Sequence, residues 1–136
     1  MTVVVDAPFD EADRRTRAAL ADQGFGVLTE IDVRRTLRDK LGEDMEDYMI
    51  LGACDPSLAH QALQQDRSIG VLLPCNVVVR TSGAQTLVQF VDPHSMIALT
   101  RSAELEPIAE EAARRLHAML NCLHQPALLQ ADTSAQ

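Results

Sequence analysis

The stretch GVLLPCNVVVR, Gly70–Arg80, predicts a strand at the centre of the fold. Most of it is apolar on both alternating faces, which is typical of a central strand or of one packed against a second copy. Pro74, Cys75 and Asn76 are the exceptions, because a strand that only fills a core would carry Val, Ile or Leu there. Proline cannot donate a ladder hydrogen bond, so Pro74 marks an edge, a bulge or a strand start. The stretch therefore predicts both a strand and a candidate site.

The sequence around this strand predicts the element order β-α-β-(α)-β-α-β-β-α. That order favours an α+β domain with helices on one face of a mainly antiparallel sheet. The predicted strands are Thr2–Val5, Phe25–Ile31, Tyr48–Ala53, Gly70–Thr81 and Gln85–Val91, and the predicted helices are Phe9–Gln23, a short one capped by Asp32, one from Asp55-Pro56 to about Gln65, and Leu105–Leu123.

Composition indicates one domain with an aliphatic core. The chain has 136 residues, 46% of them hydrophobic, and no Trp. We assign residues 1–124 to the domain, and residues 125–136 are predicted to be a disordered tail because their composition gives no reason for order.

The net charge and the number of cysteines limit the partners and the cellular location expected for this chain. A net charge of −8 repels phosphate backbones and anionic membrane surfaces, so we expect neither a nucleic-acid nor a membrane partner. No apolar run approaches the ~18–20 residues of a membrane span. Three cysteines, an odd number, do not form a disulfide framework and fit reduced thiols, which predicts a cytoplasmic location.

Cys54 is the second candidate site residue. Asp55 followed by Pro56 predicts a helix start, with Asp55 as the N-cap. Cys54 then lies beside the positive end of the helix dipole, which favours a lower thiol pKa. The carboxylate of Asp55 acts in the opposite direction.

The two cysteines can share a site if their strands are neighbours. Such a pair can bind a soft metal, form a reversible disulfide or carry sulfur. A set made of Cys54, Cys75 and either His94 or Met96 suits Cu(I) or haem iron, although no CxxC or Cys/His spacing supports it. The competing interpretation is that Cys75 is a small buried apolar residue.

Three functional hypotheses follow from these residues. The first is a small binding or accessory protein whose ligand, a soft metal, haem or a sulfur species, lies at Cys75, Asn76 and Cys54, beside Pro74 and Asp55. The second is a thiol enzyme that uses Cys75 or Cys54, with His94 or Lys40 as a helper. The third is a structural or interaction module with inert cysteines.

The central segment YMILGACDPSLAHQALQQDRSIGVLLPCNVVVR resembles the domain-of-unknown-function 302 family. Its LGACDP and LLPCNVVV blocks carry the resemblance, which extends from about Thr2 to Leu123. The resemblance implies a curved antiparallel sheet backed by helices, similar to the TATA-binding protein fold, and a homodimer, but no established activity. A fold alone gives no ground for DNA binding. The family often has asparagine where this chain has Asp55, and a charge there is expected to change the reactivity of Cys54.

Overall fold

The computed structural model describes residues 1–124 as five strands and five α-helices. The expected tail, residues 125–136, lies outside the described residues. The strands are β1 (Thr2–Val5), β2 (Gly26–Asp32), β3 (Tyr48–Cys54), β4 (Cys75–Ser82) and β5 (Gln85–Phe90). The helices are α1 (Phe9–Asp22), α2 (Val33–Leu41), α3 (Pro56–Gln65), α4 (Pro93–Ala98) and α5 (Glu106–His124), and two 3-10 helices span Arg67–Leu72 and Ala103–Leu105.

The sheet is antiparallel throughout, in the order β1-β5-β4-β3-β2. This confirms the α+β class and the predicted order, with β4 in the centre. None of the helices within residues 1–124 is long and apolar enough to cross a membrane.

The core lies on one face of the sheet, beneath α1 and α5. Register places alternate residues in rows across the strands, and the row Phe90–Val77–Leu51 is almost entirely buried. Leu20 of α1 and Leu116 of α5 are fully buried in the same cluster. The opposite face of the sheet carries more polar and partly exposed residues, so the sheet is covered on one side.

Aspartate caps fix the starts of three helices. Asp32, Asp55 and Asp92 each accept a hydrogen bond from a backbone N–H of the first turn, at 3.0, 3.1 and 2.8 Å respectively. These bonds satisfy donors that have no partner inside the helix. The caps predicted at Asp32 and Asp55 are confirmed. The sequence predicted only the end of a strand at Val91, whereas Asp92-Pro93, the same pair of residue types as Asp55-Pro56, starts α4.

The predicted fourth strand begins too early. Arg67–Leu72 is a 3-10 helix, and the side chain of Asp66 accepts a hydrogen bond of 2.9 Å from the Ser68 N–H at its start. The strand begins at Cys75, immediately after Pro74, because proline has no N–H to offer the ladder. Of the three roles foreseen for Pro74, the strand start is the correct one. Within the described strands the register shifts only between Val27 and Thr29 of β2.

Gly52 allows a close approach on the open face of the sheet. It pairs with Thr29 on one side and Asn76 on the other. A Cβ atom at Gly52 would overlap the Thr29 hydroxyl and lie 2.9 Å from Cγ of Pro74. The absence of a side chain at Gly52 therefore lets Thr29 and Pro74 pack over the end of β3, next to the candidate site.

We predict that Gly52→Ala destabilises the fold by about 1–3 kcal/mol, the usual cost of forcing extra volume into a packed site. Adding Thr29→Ala should restore part of the loss, because it removes the hydroxyl that the new methyl meets. Gly70→Ala is the matched control, since a Cβ there meets nothing within 4 Å. Urea unfolding of the four proteins measures the effect. Equal stability of Gly52→Ala and Gly70→Ala would contradict the packing argument.

Candidate functional site

A small apolar cavity of about 70 Å³ lies beside the start of β4, between α3, α4 and α5. Among the described residues that line it, Asp55 is the sole charged one. The other lining residues are Phe25, Ala53, Cys54, Leu58, Ala59, Ala62, Ile69, Leu72, Leu73, Cys75, Pro93, Met96, Ile97, Ile108, Ala109 and Ala112. The wall thus joins both predicted site cysteines to one methionine and an otherwise apolar lining.

The register separates the two cysteines across the sheet. Cys75 pairs with Ala53 on the helix-covered face, whereas Cys54 is one position further along β3 and pairs with Gly26. Because successive residues of a strand point to opposite faces, Cys54 belongs to the face of Gly52. Both residues contribute to the cavity wall at the end of the sheet, but they do not share a face.

Both thiols favour the protonated form. Burial raises the pKa of the Cys75 thiol above its ordinary value, and the nearby Cys54 adds to the rise. Burial also raises the pKa of Cys54, and the carboxylate of Asp55 raises it further. The expected benefit of the α3 dipole for Cys54 is therefore outweighed, and neither thiol is set up as a thiolate nucleophile.

Both carboxylate oxygens of Asp55 make structural contacts. It is 7% exposed; one carboxylate oxygen caps α3 at the Leu58 N–H, and the other accepts from the guanidinium of Arg115. Arg115 also donates to Glu111 at 2.9 Å. The charge that distinguishes Asp55 from asparagine is thus paired, and both of its oxygens have partners. These contacts hold the carboxylate in the fold and favour a structural role for Asp55 over that of a general base.

Glu111 anchors the outer side of this ion-pair network. Hydrogen bonds from Arg114 and Arg115 lower the pKa of its carboxyl to about 2. The Glu111 carboxylate therefore stays charged through the physiological range, and its contribution to stability is lost only as the pH falls from the ordinary pKa of glutamate toward 2.

Asn76 and Pro74 lie in a second, outer pocket of about 300 Å³. Asn76 is exposed and belongs to the open face of the sheet, in the row of Gly52. The outer pocket shares several wall residues with the cavity, including Cys75 and Met96. The predicted Pro74-Cys75-Asn76 site therefore lies where the two spaces adjoin.

The proposed metal set is only partly brought together. Cys54, Cys75 and Met96 line the cavity, but His94 is exposed, is not among the lining residues, and lies 3.3 Å from Glu106 through its Nδ1 atom. Within residues 1–124 no cluster of three or more His, Cys, Asp or Glu side chains is arranged to hold a metal ion. Lys40, the other suggested helper, is exposed on α2.

The sequence named Met96 as a candidate, but it did not indicate the other cavity residues that lie outside the signature block. Ile97 comes from α4 with Met96, and Ala109 and Ala112 come from α5. The Asp92-Pro93 start of α4 was the available signal, since Asp55-Pro56 had been interpreted correctly as a helix start.

The comparisons with known proteins agree with this geometry. Residues 1–123 match the family described as Domain of unknown function DUF302. The chain belongs to the DUF302 family. A crystal structure of an uncharacterized conserved DUF302 protein from Bacillus stearothermophilus is 30% identical, with a TM-score of 0.85 over 90% of this chain and 96% of that chain. None of the curated proteins matches. The resemblance inferred from the LGACDP and LLPCNVVV blocks is confirmed, and these relatives assign no ligand to the cavity.

We predict that alkylation of this DUF302 chain has a steep pH dependence at Cys54 and Cys75. Because their pKa values are raised, the rate at each should increase about tenfold per pH unit from about pH 7 to about pH 9, without a plateau. Iodoacetamide labelling followed by peptide mass spectrometry measures each site. Cys122 is exposed and serves as the internal reference for reagent access. A plateau near neutral pH at either residue would show a depressed pKa and support the thiol-enzyme hypothesis.

Proposed function

We propose that this DUF302 chain is a binding protein that takes a small, uncharged and mainly apolar ligand in the cavity. The observation that carries the proposal is the cavity wall, which combines apolar side chains with two thiols whose pKa values are raised. Ligand pockets in proteins are typically apolar with a few polar groups that fix orientation. The Cys75 thiol supplies such a group, as a weak hydrogen-bond donor and a soft contact.

The volume limits the ligand. An engineered cavity of about 150 Å³ in another protein holds benzene, so about 70 Å³ accommodates an apolar group of roughly three or four heavy atoms. Haem is far larger than this space. Of the ligand classes expected from the sequence, haem is therefore disfavoured on size.

The protonation state of the two thiols bears on the remaining ligand classes, a soft metal and a sulfur species, and on the thiol-enzyme hypothesis. A sulfur-transfer reaction requires a thiolate nucleophile, and the raised pKa values of Cys54 and Cys75 oppose its formation in the free protein. The thiol-enzyme alternative meets the same obstacle, and its suggested helpers, His94 and Lys40, lie outside the cavity wall. A soft metal ion displaces the thiol proton when it binds, so that class is decided by the Cu(I) measurement described below. Free thiols fit the cytoplasmic location expected from the sequence, which stays a prediction.

Ligand binding is tested by titration with a small apolar molecule and by a substitution that fills the cavity. Cyclopropane should shift the methyl resonances of lining residues such as Ile97 in ¹³C NMR spectra of the full chain. Ala112→Leu places a larger side chain at the wall and should weaken binding at least tenfold, since it occupies the volume that the ligand needs. Ala118→Leu on the same helix is the matched control and should bind as the parent does, because Ala118 does not line the cavity.

Two results would contradict this proposal. The first is an absence of shifts at the lining methyl groups, and the second is equal binding by the Ala112→Leu and Ala118→Leu variants. Tight binding of Cu(I) at one ion per chain that is lost in Cys75→Ser would instead favour the soft-metal hypothesis.

We also propose that a second copy of the chain covers the flank formed by β2 and α2, giving the homodimer implied by the family resemblance. Support comes from Leu28, Ile31 and Leu41, which are 66%, 48% and 67% exposed. In the described structure α2 is amphipathic, yet none of its residues is buried. An apolar helix face is normally buried against another element, and a cluster of exposed apolar residues is typical of an interaction surface.

The dimer is tested by light scattering coupled to size-exclusion chromatography. The parent should elute with twice the mass of the chain, and Leu28→Asp should shift the population toward the monomer, because a charge at the centre of an apolar interface is costly. Leu99→Asp is the control, since Leu99 is 76% exposed but lies after α4, outside this flank. A monomeric parent, or equal dissociation in both variants, would overturn the assignment of this surface.

A further inference from the structure

We propose that the ligand is an uncharged amphiphile whose apolar end occupies the cavity and whose polar group lies in the outer pocket, hydrogen-bonded to the Asn76 amide. The inference rests on the proposed function, since it assigns the class of molecule that the cavity takes. It adds a polar recognition residue and a direction for the ligand.

The two spaces are adjacent and share one wall. Leu72, Leu73, Cys75 and Met96 line both the cavity of about 70 Å³ and the outer pocket of about 300 Å³. These shared residues place the two spaces side by side, and the proposed ligand extends past Cys75 and Met96 from one to the other.

The two spaces differ in polarity. The surface of the cavity is almost entirely apolar, whereas the surface of the outer pocket is a mixture of polar and apolar atoms. Burial in the cavity stabilises an apolar group, and a polar group in the outer pocket keeps hydrogen-bonding partners and water. This gradient matches a molecule with one apolar and one polar end.

The side chain of Asn76 can form a hydrogen bond with the polar end of the ligand. It is exposed at the second position of β4, directly after Cys75, and its amide makes no side-chain hydrogen bond within residues 1–124. An asparagine amide offers two donor hydrogens and an acceptor oxygen, so it can bind a hydroxyl or a carbonyl group.

The polar end should carry no charge. The described residues that line the outer pocket include no charged side chain to pair with an ionic head group. The chain as a whole carries a net charge of −8, which repels anions. A hydroxyl, ester or amide head group fits this lining better than a carboxylate or a phosphate.

The experiment compares probes of equal chain length on the full chain. 1-Butanol, butyrate and butylamine are titrated separately and followed through the methyl resonances of Leu72, Met96 and Ile97. We expect 1-butanol to bind more tightly than either ionic probe. Asn76→Ala should weaken 1-butanol binding about three- to tenfold, as loss of one neutral hydrogen bond does, while cyclopropane binding stays unchanged. Asn121→Ala is the matched control, because Asn121 is an exposed asparagine on α5, outside both pockets.

The outcomes separate this inference from the proposed function. If cyclopropane binds but Asn76→Ala leaves 1-butanol affinity unchanged, or if an ionic probe binds as tightly as 1-butanol, the amphiphile assignment is wrong and the binding function stands. If no probe shifts the lining methyl groups, the cavity is not a binding site and both proposals are overturned.

Discussion

The ion pair between Asp55 and Arg115 joins the elements that enclose the cavity. Asp55 caps α3, Arg115 belongs to α5, and the pair lies against Gly24, which follows α1 with a φ of +86°. A Cβ at Gly24 would lie 3.0 Å from the Asp55 carboxylate and 3.2 Å from the Arg115 guanidinium. Glycine at this turn therefore serves two purposes, because it adopts the left-handed conformation and leaves room for the pair.

The pair also explains how the chain tolerates a buried charge beside Cys54. A buried carboxylate without a partner is strongly destabilising, and removing one member of a buried pair typically costs about 3–5 kcal/mol. Here the cost is expected to be smaller, because Arg115 is 27% exposed and is screened by water. Burial is the larger cause of the raised pKa of the Cys54 thiol, and the carboxylate held by α3 and α5 raises that pKa further.

The sequence predicted those features that depend on local chemistry. The caps at Asp32 and Asp55 and the strand Gln85–Phe90 follow from residue types a few positions apart, and the structure has them within a residue or two. The segment Gly70–Leu72 was misassigned because a short apolar run suits a buried strand and a helical turn equally well. Tertiary packing decides between them: Ile69 and Leu72 pack beside Ile97 and Ile108 in the second core cluster.

The site was predictable in its residues but not in its chemistry. The signature block identified Cys54, Cys75 and Asn76, and all three lie at or beside the two pockets. Their division between the two faces of the sheet depends on the register of β3 against β4, which no local pattern encodes. The direction of the thiol pKa shifts depends on burial by α3, α4 and α5, and it turns a possible nucleophile into part of an apolar wall.

An accessible apolar binding cavity beside Cys75 is the feature on which both the binding function and the amphiphile assignment depend. The most direct measurement is a crystal structure of the protein pressurised with xenon, an uncharged atom that fits a space of this size. We predict a strong anomalous peak between Cys75, Met96 and Ala109. A structure in which these side chains fill the space and no xenon binds there would contradict the account.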